Sequence, residues 1–375
     1  MTERIENKHV FKTFEFLRFP LILGVVFIHC FIGEFSIEEV DFANLTSTDF
    51  YNLLRVSISH VGAHLCVPVF FFISGYLFFV HLETWDKNVY YSKLKKRART
   101  LLVPYLLWNL IKIAFVVIGA YIHHRPESCL TYFSEYAYLR MLWDGNVWNT
   151  DRVNLLGWPA LSSSPIMFQL WFLRDLMCVM VLAPIYHCAF KHLKYIPLIV
   201  IAICFLLSIQ TNISGFSNEA LLFFGTGAYM RINNIDFATI IKKWSFLLYP
   251  LAFILWIVCT CFDGHLTATG DLFYPFYIIV GSCVLYDMAD TIVNKNKYGI
   301  PTIITQSTFF IYLVHTLFIE ELESLTKMSL LQSNAITMTL VYIFFPLIIC
   351  GICTFSYVFM KRIVPRVLMV LTGGR

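Results

Sequence analysis

The sequence predicts an all-α, polytopic integral membrane protein of about ten transmembrane helices, with both termini in the cytoplasm. Three observations predict it. Hydrophobic residues make up 58% of the 375 residues and charged residues only 14%, against roughly 25% charge in a soluble domain. The apolar residues fall in blocks of about 20, the length that carries a helix across a bilayer. The basic residues crowd into alternate connections, which sets orientation. A mean hydropathy of +0.69 excludes a disordered chain, a fibrous chain and an ordinary soluble enzyme.

The blocks, bounded by turn residues and charges, place helices at approximately 14–33, 62–82, 101–122, 167–189, 195–211, 217–232, 245–262, 272–290, 302–321 and 337–360. Lys8 and Lys12 precede the first block as in a signal peptide. It has no small-residue cleavage site, however, and it contains Arg18, so it is expected to be retained. The fifth and sixth blocks are short and separated only by 211–215. No repeat of 20–50 residues is evident, so an inverted-repeat transporter is not predicted. Residues 1–375 read as one membrane domain with no fused soluble domain.

With ten spans and the N-terminus inside, cytoplasmic segments hold 21 of the 28 Lys and Arg. The largest group is Lys87, Lys93, Lys95, Lys96, Arg97 and Arg99. The outer segments hold Arg55, Arg125, Arg140, Arg152 and Lys327. Two outer loops, about Gly33–Val61 and His123–Ile166, are longer than a connection needs. The second carries Trp143, Trp148 and Trp158, and both are expected to pack over the outer face and help shape a site there. A net charge of +4 is too small and dispersed for a nucleic-acid partner; the expected surroundings are lipid. The cysteines read as buried small hydrophobes, without a disulfide framework. His60 and His64 are spaced for one metal ion but lack an acidic third ligand nearby, so no metal site is expected.

The charges that topology does not require are the informative ones. Arg18 and His29 both lie in the first helix. Eleven residues separate them, about 16 Å and close to three full turns, so their side chains share a face. An ionisable residue inside a membrane is costly and marks a candidate site. Read singly, Arg18 snorkels to headgroups and His29 is a core histidine; together on one face they point to function. The basic run Lys93–Arg99 leads directly into the third helix. It reads either as anchoring to anionic lipid or as a phosphate clamp, since Lys96 and Arg99 are three apart. Gln169-Leu-Trp-Phe-Leu-Arg-Asp175 opens the fourth helix and offers Trp171 and Arg174, as an interfacial belt or as the wall of a site. His315 lies in Phe310-Ile-Tyr-Leu-Val-His315, where a lone histidine is more often structural than catalytic.

These motifs, in this order, resemble the membrane-bound acyltransferase family three, the bacterial O-acyltransferases. The resemblance rests on Arg18 and His29 as the family's Arg-x10-His, and on Phe70-Phe-Phe-Ile-Ser74-Gly75 in the second helix. It extends to Leu102-Val-Pro-Tyr-Leu-Leu-Trp108 after the basic run, Leu170-Trp-Phe-Leu173, Phe224-Gly-Thr-Gly227 and Ile311-Tyr-Leu-Val-His315. The family's Arg-x-x-Arg before the third helix here begins with lysine, as Lys96-Arg97-Ala98-Arg99, which keeps the charge but loses bidentate geometry.

The resemblance implies an acyl-CoA donor, most often acetyl-CoA, and an acceptor hydroxyl on an extracytoplasmic glycan or lipid-linked sugar, in the bacterial inner membrane. No permanently bound cofactor or metal is expected. Arg18, Lys96, Arg97 and Arg99 are expected to hold the donor phosphates. The Arg18–His29 spacing is comparable to the reach of an extended pantetheine arm. His29 is expected to act as general base or as acyl carrier. Ser74, Trp171, Arg174 and His315 are expected to support the acceptor or the transition state. The competing class is a transporter or flippase of a polar substrate, which explains the buried charges but not the pairing of a basic patch with a histidine three turns deeper.

Overall fold

A computed structural model of the chain describes residues 2–30, 44–122, 124, 127–135, 138–153, 159–262, 268–295, 300–326 and 334–374. Gly33, Arg125, Trp158, Lys297, Lys327 and Arg375 of the charge and loop reading lie outside the described residues.

The described residues are all-α apart from one hairpin. In chain order the helices are α1 (Thr2–His29), α2 (Ser47–Arg55), α3 (Cys66–Phe79), α4 (Lys87–Arg97), α5 (Val103–Ile122), α6 (Glu127–Glu135), α7 (Trp171–Val181), α8 (Ala183–His192), α9 (Ile196–Leu206), α10 (Gly225–Ile232), α11 (Phe237–Cys261), α12 (Ala268–Asn294), α13 (Thr302–Thr326), α14 (Ala335–Ile363) and α15 (Pro365–Leu371). The hairpin pairs β1 (Asn146–Val153) antiparallel with β2 (Pro159–Ser164).

Among the described residues, six helical stretches are long and apolar enough to cross a membrane: Ser47–Phe79, Lys87–Ile122, Phe237–Cys261, Leu272–Asn294, Thr302–Leu322 and Ala335–Ile363. Phe168–Val181 and Ala183–His192 together make a seventh, bent by 55° at Leu182. Ile196–Leu206 (α9) and Ala220–Ile232, which ends in α10, are shorter apolar helices. α1 carries the first apolar block but also Lys12, Glu15 and Arg18. The described part of every predicted block is mostly helical, while six or seven candidate spans, not ten, meet the length and apolarity of a span among the described residues. The second span begins much earlier than its apolar block, because Thr46 caps α2. The Thr46 hydroxyl accepts from the Asp49 amide at 3.3 Å, and the Asp49 carboxylate accepts from the Thr46 amide at 2.8 Å, a reciprocal capping box.

The chain divides into two compact units. The first comprises Met1–Phe70 and Asp236–Arg362. Here α1 buries Val10, Phe14, Leu17, Leu21 and Val25, a stripe at helical spacing, against α12 and α13. Gly24 sits so close to Cys66 that a Cβ there would overlap the Cys66 sulfur. At the early end of α1, Asp290 accepts from Thr13 Oγ1 at 3.1 Å and pairs with His9 at 2.8 Å. At the far end, the Ser59 hydroxyl donates to the carbonyl of Phe27 at 2.7 Å, one of the last carbonyls that a helix leaves without an internal partner. Because that proton is committed, Ser59 Oγ accepts from the Tyr342 hydroxyl, also at 2.7 Å. The end of α1 that carries His29 is therefore fixed by a buried serine–tyrosine pair.

The second unit comprises Phe71–Ile235 and Ile363–Arg375. Its core crossing explains two of the sequence motifs. A Cβ on Gly75 would overlap the carbonyl of Phe224, and one on Gly227 would overlap the carbonyl of Phe72. The two helical backbones touch, as small residues allow in membrane packing. Of the segment 123–166, expected to lie over the outer face, the described residues Cys129 and Leu142 lie against α5, Leu142 near its start. Cys129 Sγ lies 4.0 Å from the carbonyl of Val116, the Met167 amide donates to Asn109 Oδ1 at 3.2 Å, and the Tyr105 hydroxyl donates to the carbonyl of Leu142 at 2.5 Å. Ile122 and Tyr105 lie about 25 Å apart along that helix.

Candidate active site

The site residues fall into both units, and each group is built locally. In the first unit, His29 is the last residue of α1 and is half-buried. Its ring stacks on that of His315, with centroids 5.3 Å apart and planes at 27°. His315 is fully buried, and its Nδ1 lies 3.0 Å from the carbonyl of Ile311 and 2.9 Å from that of Tyr312. Carbonyl oxygens only accept, so Nδ1 carries the proton. Nε2 of the neutral ring is then a lone pair, and it has no hydrogen-bond partner among the described residues. A neutral His315 in this tautomer can accept a hydrogen bond at Nε2 but cannot donate one there. That favours orienting or charge-stabilising a neighbour over donating to an oxyanion. His64 lies within electrostatic reach of His29 and meets the ring of Tyr274 edge-on at 5.9 Å.

Arg18 projects from the exposed side of α1. The unbroken helix from Thr2 to His29 preserves the spacing of about 16 Å between Arg18 and His29. His60 is buried in a π-helical turn, Val56–Val61. Among the described residues, no three His, Cys, Asp or Glu side chains gather as metal ligands.

In the second unit, Lys96 and Arg99 are exposed and Arg97 is half-buried. Arg99 belongs to a π-helical turn, Ala98–Leu102, inserted between α4 and α5; such insertions are frequent at functional sites. Ser74 is half-buried in α3, directly before the Gly75 contact. Trp171 is half-buried at the start of α7, its ring 6.4 Å from that of Phe71.

Arg174 is 3% exposed and beside Asp175, 1% exposed. Its Nε donates to Asp175 Oδ1 at 2.9 Å, and Nη2 forms an ion pair with the same oxygen at 2.9 Å. Nη1 donates to the carbonyl of Trp143 at 2.8 Å and to Ser163 Oγ at 3.2 Å, and Nη2 to the carbonyl of Ser163 at 3.1 Å. Four of these contacts are hydrogen bonds and the Nη2–Asp175 contact is an ion pair, so both sides of the guanidinium fork are occupied. The arrangement suits a clamp that holds β2 and the Trp143 turn to α7, where the sequence had offered Arg174 to an acceptor.

The second unit also holds a pair that sequence reasoning missed. Arg231, read only as an orienting charge, donates to Glu83 at 2.7 Å through Nε and pairs with it at 2.5 Å through Nη2. Its guanidinium lies 5.6 Å from the centre of the Tyr76 ring. Burial pushes the Glu83 carboxyl up, but backbone hydrogen bonds and Arg231 outweigh it and hold the group below its ordinary value. Their separation in sequence hid this pair.

Comparison with known proteins agrees with the motif order. A family profile described as "Acyltransferase domain" matches residues 11–355. The succinoglycan biosynthesis protein ExoH of Rhizobium meliloti (strain 1021) is 25% identical over 380 residues, covering 96% of this chain and 91% of that protein. No solved structure matches the chain. The matched span includes the stacked histidines, the basic run and the glycine crossing, and the chain belongs to acyltransferase family three, as a membrane acyltransferase.

Proposed function

We propose that the chain moves an acyl group, acetyl foremost, from cytoplasmic acetyl-CoA to a hydroxyl of an extracytoplasmic glycan or lipid-linked sugar. It does so from the bacterial inner membrane, through ten spans with both termini inside. The observation that carries this reading is the stacking of His29 on the tautomer-locked His315, on the same helix as Arg18. The relative named for succinoglycan biosynthesis supports a saccharide acceptor.

In this reading Arg18, Lys96, Arg97 and Arg99 hold the nucleotide phosphates, and the pantetheine arm reaches toward His29. His29 removes the proton from the acceptor hydroxyl as its oxygen attacks the thioester carbonyl. The carbon–sulfur bond breaks, and the departing thiolate takes the proton back from His29. In the alternative order, His29 takes the acyl group first and passes it to the hydroxyl. His315, through the Nε2 lone pair, accepts a hydrogen bond and steadies the charge that develops on His29. Ser74 and Trp171 support the acceptor, while Arg174 holds the scaffold. Acetyl-CoA is consumed as a substrate, and the reaction uses no resident cofactor.

The test is release of free CoA thiol by the purified protein in lipid, with and without a glycan acceptor. Acceptor-dependent thiol release is expected. Transport of the glycan without thiol release would favour a transporter instead.

A further inference from the structure

Residues 365–374 of the second unit make a contact that the reaction as described does not use. α15 ends in a Schellman motif: the Gly374 amide donates to the carbonyl of Met369 at 2.6 Å and the Gly373 amide to that of Val370 at 3.2 Å. Gly373 has φ +65° and lies flush on the backbone of Thr100, where a Cβ would stand 2.6 Å from both the Cα and the carbonyl oxygen. Two further groups fix the same docking. The indole N–H of Trp108 donates to the carbonyl of Leu371 at 3.1 Å. Thr372 is 2% exposed, its hydroxyl donating to the carbonyl of Leu368 at 2.7 Å.

Thr100 directly follows Arg99 and lies in the π-helical turn. Its hydroxyl is buried without a hydrogen-bond partner among the described residues. A π-helical turn shifts the facing of every side chain around it, and without an outside restraint it has neighbouring helical registers open to it. The cap at Gly373 supplies that restraint at the backbone itself.

We infer that the capped segment Leu371–Gly374 is a positioning element of the donor site: by seating Gly373 on Thr100 it holds the π-helical turn that aims Arg97 and Arg99 at the phosphates of acyl-CoA. This rests on the phosphate-clamp reading above. The thioester end of the donor is untouched by it.

The test compares two donors in the full-length protein: acetyl-CoA, and S-acetylpantetheine, which carries the thioester but no phosphates. Gly373→Ala is expected to raise KM for acetyl-CoA about tenfold or more, the worth of one charge-assisted hydrogen bond. Its kcat, and its rate with S-acetylpantetheine, should stay at the wild-type level. Trp108→Phe, which removes only the indole N–H, should move KM in the same direction by less, and it carries the comparison should Gly373→Ala not fold. Gly351→Ala, with open space around its Cβ, is the control and should change neither. Equal loss with both donors, or no change with either, would overturn the inference. A wild-type protein that uses S-acetylpantetheine as well as acetyl-CoA would instead overturn the phosphate clamp, and the inference with it.

Discussion

Replacing Arg174 by alanine separates a scaffold from an acceptor ligand. The wild-type side chain is 3% exposed and its partner Asp175 is 1% exposed. The substitution removes four donated hydrogen bonds and the ion pair to Asp175 at once. It leaves a buried carboxylate held by Ser217, whose amide donates at 3.2 Å and whose side chain also hydrogen-bonds it, and takes the Arg174 donors from the carbonyls of Trp143 and Ser163. Breaking a buried pair by removing one partner costs about 3–5 kcal/mol, so thermal unfolding in detergent should fall by on the order of 10 °C. Arg174→Lys should recover little, because three N–H groups on a point charge cannot replace a five-donor fork. Arg174→Met combined with Asp175→Leu should recover most of the loss, since a well-packed apolar pair often matches a buried ion pair. Differential scanning fluorimetry and acceptor kinetics on the same preparations decide the matter. Wild-type stability with a raised KM for the acceptor would refute the clamp and make Arg174 a substrate contact.

Other predictions follow from the same geometry. Gly75→Val or Gly227→Val should prevent the crossing of the two helices, and overpacking costs typically about 1–3 kcal/mol even where the backbone can yield; loss of folded protein on size-exclusion chromatography checks this. Asp144 is held below its ordinary value of 3.8, first by the hydrogen bond from Arg140. A depressed folded value means that its contribution is present above about pH 4 and lost as pH falls through the folded value, which Trp143 fluorescence should follow and Asp144→Asn should abolish. His315→Phe keeps an aromatic ring beside His29 but removes the lone pair. It should lower kcat by about 10²-fold or more while KM for acetyl-CoA stays near wild type; an unchanged kcat would assign His315 to packing alone.

Much of the fold was legible because a bilayer demands contiguous apolar helices, and the described part of each block is mostly helical, though 167–189 falls on two helices bent against each other. The pairing of Arg18 with His29 was legible for the same reason: helical periodicity sets which residues share a face. What periodicity does not encode was missed. The strands Asn146–Val153 and Pro159–Ser164 lack alternating polarity, so the hairpin left no pattern. The π-helical turns at Val56–Val61 and Ala98–Leu102 come from packing, not propensity. The clamp at Arg174 depends on Trp143 and Ser163, and the pairing of Arg231 on Glu83, partners brought together only by folding. The stacking of His29 on His315 spans almost the whole chain, and motif order alone marked it.

The central claim is that His29 carries the acyl-transfer chemistry. The most direct measurement is transfer of a radiolabelled acetyl group from acetyl-CoA to a surface-glycan acceptor by purified His29→Ala protein in liposomes. No acceptor labelling above background is expected from a variant that inserts, purifies and unfolds like wild type. Wild-type rates of labelling by that variant would contradict it.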